Sequence, residues 1–220
     1  MPLNCTGEHL PTGISTLNPP ETPSSLDDFC ILLGTDDEVL LYESIQRKEG
    51  SQLQYWVILQ TDGYPISVCE LEQYADYLSK QQLWQGRRAD YLVIGSHCGD
   101  CYLIIVELRH VLVKENHEDD KFEQLKETIN QLLQDQLEVI KNSDSLSKVY
   151  DNPESYKIIG VVIAPGNTRS FSRGDLNLKV EIASHQVLIR TLPKDALSDC
   201  KITWTYLLER IGVPPSSYSP

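Results

Sequence analysis

Asp90 and the run Val106-Glu107-Leu108-Arg109 place two carboxylates and a guanidinium inside otherwise apolar segments. The flanking stretches, 91–95 and 102–108, have the length and composition of buried strands. Gly99-Asp100 between them reads as a Gly-first, two-residue turn of type II′. On that register Asp90 faces Arg109 and lies diagonal to Glu107, with roughly 7–8 Å between backbones. Period-2 alternation then puts all three side chains on one sheet face. Two carboxylates and one cation then converge on a single patch. The plainer reading is a cross-strand Asp90–Arg109 ion pair at a sheet edge, with Glu107 partly solvated.

Several elements must hold that patch. Residues 1–25, rich in Pro, Ser, Thr and Gly, read as a flexible lead-in. Segments 29–33, 38–43 and 54–59 suggest a small antiparallel β meander within 26–62. Apolar spacing over 67–82 predicts an amphipathic helix with Ser67 as N-cap and Glu70 completing a capping box. A long helix is expected from near Lys121 to Lys141, capped by Asp119-Asp120, with a stripe of Phe122, Leu125, Ile129, Leu132, Leu133, Val139 and Ile140. Gln124, Thr128 and Gln131 form a polar line beside that stripe. A polar loop, 142–155, precedes the apolar segment 156–164, which reads as a central strand covered on both faces. Strands at 178–183 and 187–192, a closing helix within 200–211 and a tail at 213–220 complete the chain. The expected whole is one α/β domain over 26–212, a mixed-sheet αβα sandwich preceded by the meander.

Composition limits the function classes. A chain of 220 residues, 40% hydrophobic and 23% charged, can bury a real core. With 32 acidic against 19 basic residues its net charge is −13, so contact with nucleic acid must be local, metal-aided or shared with a basic partner. No apolar stretch is long enough to predict a membrane span, and 1–25 lacks a secretory pattern. Six scattered cysteines then imply reduced thiols and a cytoplasmic protein. Cys98-x-x-Cys101 could offer two of four Zn²⁺ ligands, but a second pair is missing; the reading preferred is two small residues framing a hairpin. Nucleotide-binding Gly-rich loops and a Gly-x-Ser-x-Gly elbow are absent.

The helix, strand, strand, helix, strand order, with Asp90, Glu107-x-Arg109 and a helix carrying Phe122-Glu123-Gln124-Leu125 and Gln131, resembles the PD-(D/E)xK nuclease superfamily over roughly 67–192. The resemblance implies a restriction-endonuclease-like fold in which Asp90 and Glu107 hold Mg²⁺ or Mn²⁺. It also implies that Arg109 stands where the family has the lysine that orients the attacking water. This is a real departure, because Arg is bulkier than Lys and cannot give up a proton at working pH. Lys121 and Gln124 are candidates to complete the site, and Arg87, Arg88, Arg169 and Arg173 to contact phosphates. Two functions follow: a metal-dependent endonuclease acting on DNA or RNA, or an inactive nuclease-fold subunit that works through a protein partner or its own oligomer.

Overall fold

The computed structural model describes residues 5–46, 52–109, 118–133, 156–165, 177–193 and 196–213. A mixed sheet of seven strands runs through the middle. Its first four members are β2 (Cys30–Leu33), β5 (Ile66–Glu70), β6 (Tyr91–His97) and β7 (Asp100–Leu108), lying side by side and antiparallel. Strand β8 (Tyr156–Ala164) and β10 (His185–Pro193) continue it parallel to β7, and β9 (Asn177–Ile182) closes the far edge as an antiparallel hairpin with β10. A smaller sheet has β4 (Gln52–Gln60) at its centre. Strand β3 (Glu38–Gln46) pairs with one side of β4, while β1 (Thr6–Gly7) and β11 (Lys201–Thr203) pair with the other.

Among the described residues there are three α-helices: α1 (Leu71–Lys80), α2 (Glu118–Leu133) and α3 (Trp204–Arg210). Alternation along the sheet separates two cores. Leu103, Ile105, Val162 and Ile189 pack with α1 and α2 on one face. Tyr102, Ile104, Val106 and Val161 pack on the other with α3 and the small sheet. The molecule is therefore mixed α/β, as expected, and among the described residues its second face carries a sheet and one helix in place of a full helical layer.

Local details differ from expectation for identifiable reasons. Segment 66–70 is a strand, because β2 and β6 both bond to it, and the helix starts only at Leu71 with Glu70 as N-cap. The segment at 30–33 joins the large sheet through β5, so 26–62 is not one meander; β3 and β4 form the expected hairpin. Helix α2 starts at Glu118, which puts Asp119 and Asp120 inside its first turn and not at its cap. Leu125, Ile129 and Leu132 are buried as predicted, while Val139, Ile140, Lys141 and loop 142–155 lie outside the described residues.

The cysteines are not all reduced thiols, contrary to expectation. Cys5 bonds to Cys200, and Cys30 to Cys69. The second pair are direct cross-strand neighbours on β2 and β5, a proximity that spacing in the sequence does not reveal. Cys98 and Cys101 are free. Disulfides persist in oxidising surroundings, so cysteine usage no longer argues for the cytoplasm. The lead-in is also tied down: Cys5 and Leu17 are buried, and the Leu40 N–H donates to the Ser15 carbonyl. No helix among the described residues is long and apolar enough to cross a membrane.

One close approach gives a direct test of the packing between α3 and the sheet. Trp204 is fully buried, and its indole N–H donates to the Ser96 carbonyl at 3.1 Å. Its ring lies against Gly95, where an added Cβ would sit 2.7 Å from Trp204 Cζ2 and 2.8 Å from Ile66 Cγ2. Neither neighbour has room to move in a filled core. Gly95→Ala is expected to lower stability by about 1–3 kcal/mol, read as a fall in the urea midpoint; an unchanged midpoint would contradict this packing.

Candidate metal centre

The hairpin that carries Asp90 and Glu107 turns one residue earlier than expected. His97 pairs with Asp100, so Cys98-Gly99 are the two turn residues, and both have positive φ, 51° and 83°. That is a type I′ turn, whose twist matches the flanking strands. Tyr91 consequently faces Val106 instead of Leu108. The slip is by two residues, so every side chain keeps its face. Asp90, just before β6, now comes level with Glu107, not with Arg109. Glu107 is 0% exposed and Asp90 7%.

Two elements, β7 and α1, fix Asp90 directly. Its carboxylate Oδ2 accepts from the Leu108 N–H at 2.6 Å, next to Glu107 in the chain. Its carbonyl accepts from Leu71 N–H and Glu72 N–H at 2.8 and 3.2 Å. These are the first amides of α1, which Glu70 does not cap with its side chain. The start of α1 is thereby locked to the segment that presents Asp90.

Helix α2 holds the same segment through its polar line. Gln124 Nε2 donates to Glu107 Oε2 at 2.8 Å and also to the Arg88 carbonyl. Glu127 accepts from Arg87 N–H and Thr128 Oγ1 from Ala89 N–H, each at 2.9 Å, while Gln131 donates to the Gln85 carbonyl. Spacing of three and four residues puts these side chains on one helix face. Residues 85–89 have no strand partners, and α2 side chains bond four of their backbone groups, the Arg87 and Ala89 N–H and the Gln85 and Arg88 carbonyls. The predicted line Gln124, Thr128 and Gln131 thus positions the site, and Glu127 joins it.

Two further acidic residues, which the sequence reading does not single out, cluster with Asp90, and Glu107 is not a member of that cluster. Glu43 on β3 and Glu72 on α1 each bring a carboxylate oxygen within 4.8 Å of the other and of Asp90. Glu70 is close enough for Glu72 and Glu43 to act on it. Burial pushes its carboxyl above the ordinary value, those two carboxylates push it further, and the Gln73 amide opposes them. Its Oε1 accepts from Gln73, but its buried Oε2 has no partner. Tyr55 on β4 feels the same field: burial raises its phenol strongly, Glu43, Asp90 and Glu107 raise it further, and Arg109 opposes them. In the sequence, Glu70 and Glu72 look like ordinary acidic residues at a helix start, and Glu43 comes from a different sheet.

The raised Glu70 carboxyl makes stability depend on pH. Below its ordinary value of 4.5 the carboxyl is protonated in both folded and unfolded chains and contributes nothing. Above it the unfolded chain ionises first, so stability falls as pH rises through the folded value and stays lower. Glu70→Gln keeps an acceptor for Gln73 and removes that loss. The variant is expected to unfold at higher urea than wild type at about pH 7 and at the same urea at about pH 4; an equal difference at both would contradict the cause assigned.

The candidate cations are distributed unevenly. The Arg88 guanidinium pairs with Asp76 at 2.5 Å and Glu72 at 3.8 Å, so it neutralises the rim of the acidic patch. Arg109 follows β7, with its N–H bonded to the Ile163 carbonyl, and its charge reaches Tyr55. Arg87 is exposed. Lys121 lies in α2, but its side chain, like Arg169 and Arg173, lies outside the described residues. Comparison with family models, with curated proteins and with solved structures returns no match for this chain.

Proposed function

We propose that this protein is a metal-dependent nuclease-like hydrolase of phosphodiester bonds, of the PD-(D/E)xK type, whose Asp90, with Glu107 beside it, holds Mg²⁺ or Mn²⁺. The observation that carries this reading is the convergence of Glu43, Glu72 and Asp90 oxygens within 4.8 Å, next to a Glu107 that Gln124 holds in place. The donors are all hard oxygens, the kind Mg²⁺ and Mn²⁺ prefer. Oxygens sharing one Mg²⁺ at about 2.0–2.1 Å lie at most ~4.2 Å apart, so side-chain adjustments under ~1 Å close the set. When bound, the cation supplies Lewis-acid stabilisation of the charge that a phosphodiester develops during cleavage.

The chain's own residues do the rest. Glu43 and Glu72 supply ligands from a second sheet and from α1, which makes the pocket deeper than Asp90 and Glu107 alone. Arg109 contributes a permanent positive charge for a phosphate oxygen and takes no part in proton transfer. Arg87 and Arg88 lie beside the patch, where a nucleic-acid backbone can be met locally despite the net charge of −13.

A second reading keeps the fold and drops the reaction: an inactive subunit acting through a protein partner or a second copy. Two observations favour it, the Arg at position 109 and the engagement of Arg88 with Glu72. Incubation with labelled DNA and RNA and Mn²⁺ decides between them. Cleavage supports the hydrolase. No cleavage, together with a stable basic partner in a pull-down, supports the subunit.

A further inference from the structure

The seven-stranded sheet ends at β9, and among the described residues no strand pairs with its outer edge. Strand β9 is joined to β10 by Ala183-Ser184, both at positive φ, 48° and 67°, a two-residue turn of type I′. The residues that close such a turn, Ile182 and His185, exchange backbone bonds, and bonded pairs alternate from there along the ladder. Ile182 and Val180 therefore aim their N–H and C=O at β10. Lys179 and Glu181 aim theirs outward, at the open edge.

The side chains divide in the same way. Val180 and Ile182 pack into the core shared with α2. Lys179 and Glu181 are exposed on the other face, and among the described residues neither is paired with an opposite charge. Charge on an edge strand ordinarily keeps other strands away. This edge carries one charge of each sign, two residues apart, which makes it complementary to itself.

Geometry narrows how a second copy could pair with it. In an antiparallel pairing only residues that face outward on both strands can form the bonded pairs. Lys179 can then lie opposite Lys179 of the second copy, Glu181 opposite Glu181, or Lys179 opposite Glu181. The first two registers set like charges directly across from each other, which is destabilising. The third sets opposite charges across twice, once on each side of a two-fold axis through Val180. Val180 then meets its own copy as a non-bonded pair, with Cα atoms about 4.5 Å apart, on the apolar side of the strand.

We propose that β9 is an interface for a second copy of this chain, the two strands pairing antiparallel about Val180 with Lys179 opposite Glu181 and joining both large sheets into one. The same patch serves on both copies, so the contact closes at two and forms no filament. It does not rest on the metal reading, because the acidic patch is built from β3, α1 and the segment before β6.

Sedimentation equilibrium of the full chain, with its disulfides intact, tests the assignment. A single strand pair is a small interface of the weak class, so the range must extend to about 1 mM. Wild type is expected to pass from monomer to dimer within it. Lys179→Glu and Glu181→Lys, both at exposed positions, are each expected to weaken the dimer about tenfold or more, because each turns both cross-strand pairs into like charges. Both substitutions in one chain reverse the pairs and are expected to restore the dimer. An equal mixture of the two single variants is expected to form a heterodimer, in which every pair is again of opposite sign. A wild type that stays monomeric, single variants that dimerise like wild type, a double variant or mixture that stays monomeric, or assemblies larger than two would each overturn the interface.

Discussion

Glu107→Gln is expected to reduce Mn²⁺-supported cleavage by about 10²-fold or more while leaving the melting temperature close to that of wild type. The two halves of that result have one cause. Glu107 is fully buried and level with Asp90, and an isosteric amide keeps its packing and an acceptor for Gln124 while removing the anionic oxygen that a divalent cation prefers. A structural glutamate would behave in the opposite way, with activity and melting temperature falling together. Single-turnover cleavage measured beside a thermal melt separates the cases; unchanged cleavage would remove Glu107 from the site.

Cys200→Ser is expected to lower stability by about 5 kcal/mol, the chain-entropy value for closing a loop of this length. For a chain of this size that is a fall in melting temperature of about 10–20 °C. The Cys5–Cys200 bond spans 195 residues and fastens both ends of the described chain to the same edge of β4. The Trp56 N–H donates to the Cys5 carbonyl, and the Ile58 N–H to that of Cys200. Strands β1 and β11 have two and three residues, too short to hold that edge by backbone pairing alone. Calorimetry with and without reductant checks this: in reductant, which also opens Cys30–Cys69, wild type and variant should melt alike, and identical melts of the two oxidised proteins would contradict it. The same measurement indicates how the protein would fare in a reducing compartment.

What can be read from the sequence follows a physical division. Local periodicity locates α2, β8, the β9–β10 hairpin and the β6–β7 pair, because each depends on contacts between near neighbours or on burial of both faces. Asp90, Glu107 and Gln124 are legible because polar residues in apolar strands, or in line along a helix, violate a simple pattern. The expected β6–β7 register is off by two, since Cys98-Gly99 and Gly99-Asp100 are both credible turns and the choice depends on the twist of the flanking strands. The faces survive only because two is an even slip. Glu43, Glu72 and both disulfides are not legible. They rest on the pairing of β2 with β5, on β1 and β11 meeting β4, and on Glu43 of the small sheet meeting Glu72 of α1, all of which join residues far apart in the chain. Arg88 reads in the sequence as a phosphate ligand, and its engagement by Asp76 and Glu72 depends on the same long-range packing.

If the patch around Asp90 and Glu107 binds a divalent cation, Mn²⁺ titration followed by electron paramagnetic resonance reveals it without requiring any substrate. The free aqueous Mn²⁺ signal is expected to fall stoichiometrically as protein is added. Affinity should rise with pH as the carboxylates ionise. Asp90→Asn and Glu107→Ala should each weaken binding at least tenfold, and Mg²⁺ should compete. A free signal that stays constant up to about millimolar protein, or binding that neither substitution alters, would contradict a metal centre at this patch.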